Sequence, residues 1–118
     1  VKKDVKKAFE YKLKGAELGD DYCQSCVAYD YENGIGVKKD EKKAVEWYLK
    51  AVNQGNVNAM CNLGNMYEKG KGIEKNESKA ADMYKMAAEK GYATAQRNLG
   101  WLYYEGKGVQ KNMKEAAK

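Results

Sequence analysis

Small and apolar residues return along this chain with two periods at once. In "NAMCNLGNMYEKG", Ala59, Leu63, Gly64, Met66 and Tyr67 recur at i, i+4, i+7 and i+8, with Gly64 beside Leu63. That spacing marks one face of a helix over roughly 57 to 69, called helix A. In "ESKAADMYKMAAEKG" a second face runs through Ala80, Met83, Tyr84, Ala87 and Ala88 and closes with Lys90 and Gly91, the latter at the C′ position of a helix B. Between them, "GKGIEKN" offers two glycines that take positive φ cheaply and ends in Asn76, a good N-cap residue.

The longer period is 36 residues and runs without a gap. Ala8, Ala44, Ala80 and Ala116 coincide, as do Gly19, Gly55 and Gly91. So do Gly34, Gly70 and Gly106, then Gly36, Gly72 and Gly108, each of the latter followed by Val37, Ile73 or Val109. Tyr31, Tyr67 and Tyr103 align, and Asp4, Asp40, Asn76 and Asn112 repeat the N-cap. Gly64 and Gly100 sit in mid-helix at a cost of about 1 kcal/mol each relative to Ala. A close approach of helix B, presenting Ala80 and Ala87, is expected to offset it. One such pair of helices cannot enclose its own apolar face, so stacked pairs must build the core. The pattern therefore predicts an all-α solenoid of 36-residue helix-turn-helix units.

Read from 59 to 91, the pattern A-M-x-N-L-G-x-M-Y-x-x-G-x-G-x-x-x-N-x-x-K-A-A-x-x-Y-x-x-A-A-x-x-G resembles the Sel1-like repeat, a relative of the tetratricopeptide repeat with a longer interhelical loop. The resemblance covers the whole chain and implies a right-handed solenoid. It divides residues 1–118 into a helix B of a partial repeat (1–19), two repeats (20–55 and 56–91) and an incomplete repeat (92–118). The first full unit departs from the pattern, with Val27-Ala28 where Leu63-Gly64 and Leu99-Gly100 stand, so its helices are expected to pack slightly further apart. Residues 4–18 match a helix B without its helix A, and 112–118 match only the start of another. Neither end has the composition of a polar cap, which reads as part of a longer array.

Composition then removes whole classes of chemistry. With 118 residues the chain is one domain's worth, and with no His it excludes Ser-His and Cys-His nucleophile activation and His-ligated metal. No apolar run approaches the ~18 residues of a membrane span. The formal charge of +5 invites a nucleic-acid reading, but 17 acidic residues interleave with 22 basic ones, of which only Arg97 is arginine. Many lysines crowd the loop and the start of helix B, including Lys38, Lys39, Lys42, Lys43, Lys75 and Lys111, as a solvated edge would. "SCVA" and "SKAA" are not the Ser-x-x-Lys nucleophile motif, and "GKGIEKN" lacks the Lys-Ser/Thr end of a P-loop. Glu32 and Glu68 would lie on adjacent helices A, with nothing to mark them beyond solvated charge. No catalytic residue, metal site, cofactor, nucleic-acid partner or membrane insertion is expected.

Cys23 and Cys26 form a Cys-x-x-Cys near the start of a helix A, where the macrodipole would lower a thiol pKa. The repeat register reads them differently. Cys23 falls where Ala59 and Ala95 stand, a small position facing helix B, and Cys26 falls where Asn62 and Asn98 stand. A redox motif of the thioredoxin type expects a βαβ context, and zinc needs about four ligands, of which only Cys61 could add a third. Packing is the expected role; a redox or metal role of the pair is the alternative. In the cysteine-rich branch of the resembled family, a disulfide joins cysteines eight residues apart in place of the pairs Val52 with Met60 and Ala88 with Gln96. This chain resembles the plain branch.

What the resemblance implies about function is protein–protein interaction. In the related tetratricopeptide architecture, helix A residues off the packing face line a concave wall. Carried over by the Leu-Gly-x-x-Tyr frame, the wall would be Tyr22, Ser25, Tyr29 and Glu32, then Asn58, Cys61, Asn65 and Glu68, then Thr94, Arg97, Trp101 and Tyr104. Spacings of three, four and three hold each set on one helical stripe. Almost nothing repeats along it, and Arg97, Trp101 and Tyr104 are residue types enriched at binding hot spots. Two readings stand for Trp101: a partner protein or peptide held on the wall, or packing in a structural spacer whose contacts are all with its own repeats.

Overall fold

An acceptor side chain opens each helix B. In the computed structural model, which describes residues 4–106, Asp4, Asp40 and Asn76 accept from the backbone N–H of Lys7, Lys43 and Lys79 at 3.0, 3.1 and 3.0 Å. Each cap is worth about 1 kcal/mol. The helices they start are α1 (Val5–Glu17), α3 (Glu41–Asn53) and α5 (Glu77–Glu89). The intervening helices A are α2 (Asp21–Asn33), α4 (Val57–Lys69) and α6 (Ala93–Glu105). Asp20 and Asn56 cap α2 and α4, while α6 begins at Tyr92 without a side-chain cap. All three helices A stop on a left-handed glycine, Gly34, Gly70 or Gly106. No strand occurs among the described residues. The further helix start expected at 112–118, with Gly108, Val109, Asn112 and Ala116, lies outside them.

Each helix packs chiefly on its neighbours in chain order, as stacked pairs must. The result is an α-solenoid with extents of 49 × 28 × 25 Å and a radius of gyration of 15.2 Å, where a compact domain of this length would have about 13.5 Å. The main core is continuous from α2 to α6 and includes Tyr48, Leu63, Met66, Tyr84 and Leu102, all essentially inaccessible. A smaller cluster of Phe9, Ala16 and Val27 joins α1 to α2.

The mid-helix glycine is explained by a close contact, but not with the expected residues. A Cβ on Gly64 would stand 2.8 Å from Cε1 of Tyr84, so the aromatic ring lies directly on the α4 backbone. Ala80 and Ala87, one turn to either side on α5, are fully buried and flank the ring. The alanines let α5 come near; the tyrosine is what touches. In the first full unit, Ala28 and Tyr48 occupy the same two register positions and both are fully buried.

The loop glycines join one repeat to the one before it. Gly72, at φ +70°, lies with its Cα directly against the Glu41 carbonyl at the start of α3, and Gly36, at φ +73°, against that of Val5 at the start of α1. Any side chain at either position would collide with backbone.

Candidate functional site

The twelve positions read as a concave wall divide into those that stay open and those the scaffold uses. Tyr22, Tyr29, Trp101 and Tyr104 are 65%, 49%, 58% and 48% exposed, and Asn58, Thr94 and Arg97 are exposed as well. Ser25 and Cys61 are 7% and 8% exposed, too little to offer a partner. Glu32, Asn65 and Glu68 are half-buried. The position shared by Tyr22, Asn58 and Thr94 is therefore open in all three units, whereas the next one is closed at Ser25 and Cys61 and open at Arg97.

Burial also fixes the chemistry of these groups. The two glutamates are not merely solvated charge. Tyr48 donates its hydroxyl to Glu32 Oε1 at 2.9 Å, and Tyr84 donates to Glu68 Oε1 at 3.1 Å, an identical 16-residue step in each unit. Both phenols are pushed well above their ordinary range, first by burial and then by the carboxylate each one faces. Lys71 closes the first of these pairs, its ammonium 2.8 Å from Glu32 Oε2. That contact raises the lysine pKa, with hydrogen bonding to Glu32 the leading cause. The signal for the Tyr–Glu pair was present in the sequence, since Glu32 and Glu68 repeat in phase with Tyr48 and Tyr84.

At Glu68 no cation among the described residues closes the pair. Glu68, Arg97, Asn98 and Trp101 line a depression of about 290 Å³ between α4 and α6. Trp101 stacks on Tyr104 with ring centroids 5.5 Å apart and 17° between planes. Asn65, midway between the open residues Tyr29 and Trp101 in register, has a buried Oδ1 that no donor among the described residues reaches. Tyr92 donates its hydroxyl to Asn58 Oδ1 at 2.9 Å and ties the wall of one unit to the start of the next.

The cysteines take scaffold positions. Cys23 lies against the preceding helix B, and a Cβ on Gly15 would stand 2.6 Å from its Sγ. Its pKa is raised, by burial first and by the Asp20 carboxylate next, which is opposite to the macrodipole effect expected from its place near a helix start. Burial pushes the Cys61 thiol up to about 11. Neither has the thiolate character of a redox nucleophile at neutral pH. No cluster of three or more His, Cys, Asp or Glu side chains that could hold a metal lies among the described residues.

Gln24 Nε2 donates to the Ala16 carbonyl and Gln96 Nε2 to that of Ala88, each at 3.2 Å across eight residues. A hydrogen bond stands at the spacing where the cysteine-rich relatives would carry a staple. The lysines likewise have local work. Lys43 and Lys79, equivalent in register, cover the rings of Tyr31 and Tyr67 at 5.5 and 5.7 Å, and Lys50 covers Trp47 at 4.6 Å. None of the described helices is long and apolar enough to cross a membrane.

The family model described as Sel1 repeat matches residues 1–20, 26–56, 57–92 and 93–118. Among curated proteins no sequence matches. Among solved structures, the chain is similar to a Sel1 repeat protein from Oxalobacter formigenes, at 42% identity and a TM-score of 0.82, over 93% of this chain and 48% of that one. It is similar to a protective antigen of uropathogenic Escherichia coli displaying an SLR fold, at 35% identity and a TM-score of 0.92, over 96% of this chain and 24% of that one. A third similarity is to the cysteine-rich protein B of Helicobacter pylori, at 34% identity and a TM-score of 0.72, over 98% of this chain and 83% of that one. The chain spans about half of the first structure and about a quarter of the second.

Proposed function

The chain belongs to the Sel1-repeat family, and on that premise we propose that it is a non-catalytic scaffold holding a partner protein or peptide on the concave face of its helices A. The observation that carries this reading is the contrast between constant and variable positions. The repeated packing residues Ala44 and Ala80, Ala59 and Ala95, and Tyr48 and Tyr84 are fully buried, and the repeated loop glycines serve the turns, whereas the register of Tyr22, Asn58 and Thr94 remains exposed and changes at every step. The register of Tyr29, Asn65 and Trp101 changes in the same way and is exposed at Tyr29 and Trp101. Large aromatics exposed at such positions lose little conformational entropy on binding and bury much area.

Ser25, Cys61 and Glu32 serve the scaffold in this reading, and the wall reduces to Tyr22, Tyr29, Asn58, Asn65, Glu68, Thr94, Arg97, Trp101 and Tyr104. The test is crosslinking capture from the native host, comparing the chain with a Tyr22→Ala, Tyr29→Ala, Trp101→Ala variant shown by circular dichroism to keep its helices. Loss of a discrete captured protein is expected. The same protein captured at equal yield by both would refute a wall-borne site and favour a spacer whose contacts are all between repeats.

A further inference from the structure

Two successive units build the same polar notch, and only one of them is closed among the described residues. In the first, Glu32 receives Tyr48 at 2.9 Å, Asn62 stands on α4, and the Lys71 ammonium completes the set at 2.8 Å. In the second, Glu68 receives Tyr84 at 3.1 Å and Asn98 stands at the Asn62 register, but no cation among the described residues comes within ion-pair distance. The depression of about 290 Å³ opens there, with the half-exposed Trp101 where the first unit has Asn65. Resting on the interaction reading above, we propose that this notch is a specificity pocket for a basic side chain of the partner. The lysine or arginine head pairs with Glu68 while its stem lies along the indole of Trp101.

The chemistry follows from the closed copy of the same notch. Lys71 shows that an ammonium fits the Tyr–Glu–Asn arrangement at hydrogen-bonding distance from the carboxylate. In the open copy an indole face, the best of the aromatic surfaces for a cation, replaces an amide. Tyr84 holds Glu68 by one oxygen and so presents the other in a fixed direction, which makes the charge-assisted bond a selective one. Arg97 lines the same depression without an ion pair to Glu68, and its charge stands against a simple ammonium. It would instead meet carbonyls or a carboxylate beside the basic residue. Lys107, at the register of Lys71, lies outside the described residues.

The probes are acetyl-Ala-Lys-Ala-amide, its norleucine analogue and its glutamate analogue, added to ¹⁵N-labelled chain. The two indole N–H signals give the readout, with Trp47 as the internal control. Saturable movement of the Trp101 signal is expected with the lysine peptide only. Glu68→Gln, which keeps an acceptor for Tyr84, should weaken that binding by about fivefold or more. Equal response to norleucine, stronger response to glutamate, no response, or an unchanged affinity in Glu68→Gln would each overturn the proposal. So would binding that appears only in a Lys107→Ala variant, because the notch would then be closed from within. A partner captured from the host that binds the Glu68→Gln variant undiminished would sink this pocket while leaving the wall intact.

Discussion

The seam between α1 and α2 and the seam between α3 and α4 occupy the same place in successive repeats, yet they are made of opposite materials. In the second, the seam carries Tyr48 and Met66, both fully buried in the main apolar core. In the first, the same two registers hold Lys12 and Asp30, whose side chains form an ion pair at 2.7 Å with 34% and 5% of their surface exposed. Asp30 Oδ2 has that ion pair and no further hydrogen bond. Either residue alone would leave a charge without its partner, and together they preserve the repeat. The repeat thus conserves a geometry, and the chemistry filling it changes in matched pairs.

The most severe way to break the comparison is to move one half of the polar seam into the apolar one. Met66→Asp places a carboxylate opposite Tyr48 with no cation to meet it, and should cost more than about 4 kcal/mol or prevent folding. Urea denaturation followed by circular dichroism would read this directly. Removing the acid from the polar seam is milder, because Lys12 can turn toward solvent. Asp30→Ala should lower stability by about 2–3 kcal/mol, the range for a broken buried pair discounted for the exposed lysine.

A third test uses pH and lies wholly on the apolar side. The folded state holds the Cys61 proton to about pH 11, whereas an unfolded chain releases it near 9. The corresponding stability is complete below pH 9 and is lost as the pH rises toward 11, by about 2 kcal/mol. Cys61→Ala should flatten that part of the curve, leaving the later losses from Tyr48 and Tyr84, whose pKa values are raised as well. Equal alkaline slopes in the two proteins would count against burial of the thiol.

Smaller still is Tyr84→Phe, which removes one hydrogen bond to Glu68 and keeps the ring on Gly64. About 1 kcal/mol is expected from thermal melts. Smallest should be the double exchange Lys12→Tyr with Asp30→Met, which rebuilds the polar seam in the image of the apolar one. A stability within about 1 kcal/mol of the parent, or above it, is expected, since well-packed apolar groups commonly replace a buried ion pair without loss. A large destabilisation would show that the two seams differ in backbone geometry as well as in side chains.

The fold was legible because its signals are local and recur. Asp4, Asp40 and Asn76 announce each helix B, and the paired glycines of each loop announce the return of the chain. What escaped were contacts between residues whose individual types mislead. Glu32 and Glu68 look solvent-directed when taken alone, and only their phase with Tyr48 and Tyr84 shows that a phenol reaches each of them. Gly64 marks a close approach in the sequence, but the small alanines on α5 are not what fills it; the ring between them is. Asp30 and Lys12 break the apolar register at two separate places, and periodicity within one helix gives no reason to join them. On the expected wall, helical spacing grouped Tyr22, Tyr29, Trp101 and Tyr104 with residues that are buried. It did not say that Ser25 and Cys61 are buried, because that depends on how one unit leans on another.

That lean is set at Gly36 and Gly72, where main chain rests on main chain. A joint of this kind is indifferent to the side chains that either helix carries. Units can therefore be duplicated, deleted or exchanged as whole 36-residue cassettes, provided each newcomer brings its glycine and matches its neighbours across the seam. The length of such an assembly, and with it the reach of whatever surface it displays, becomes a quantity that can be changed by copying rather than by redesign.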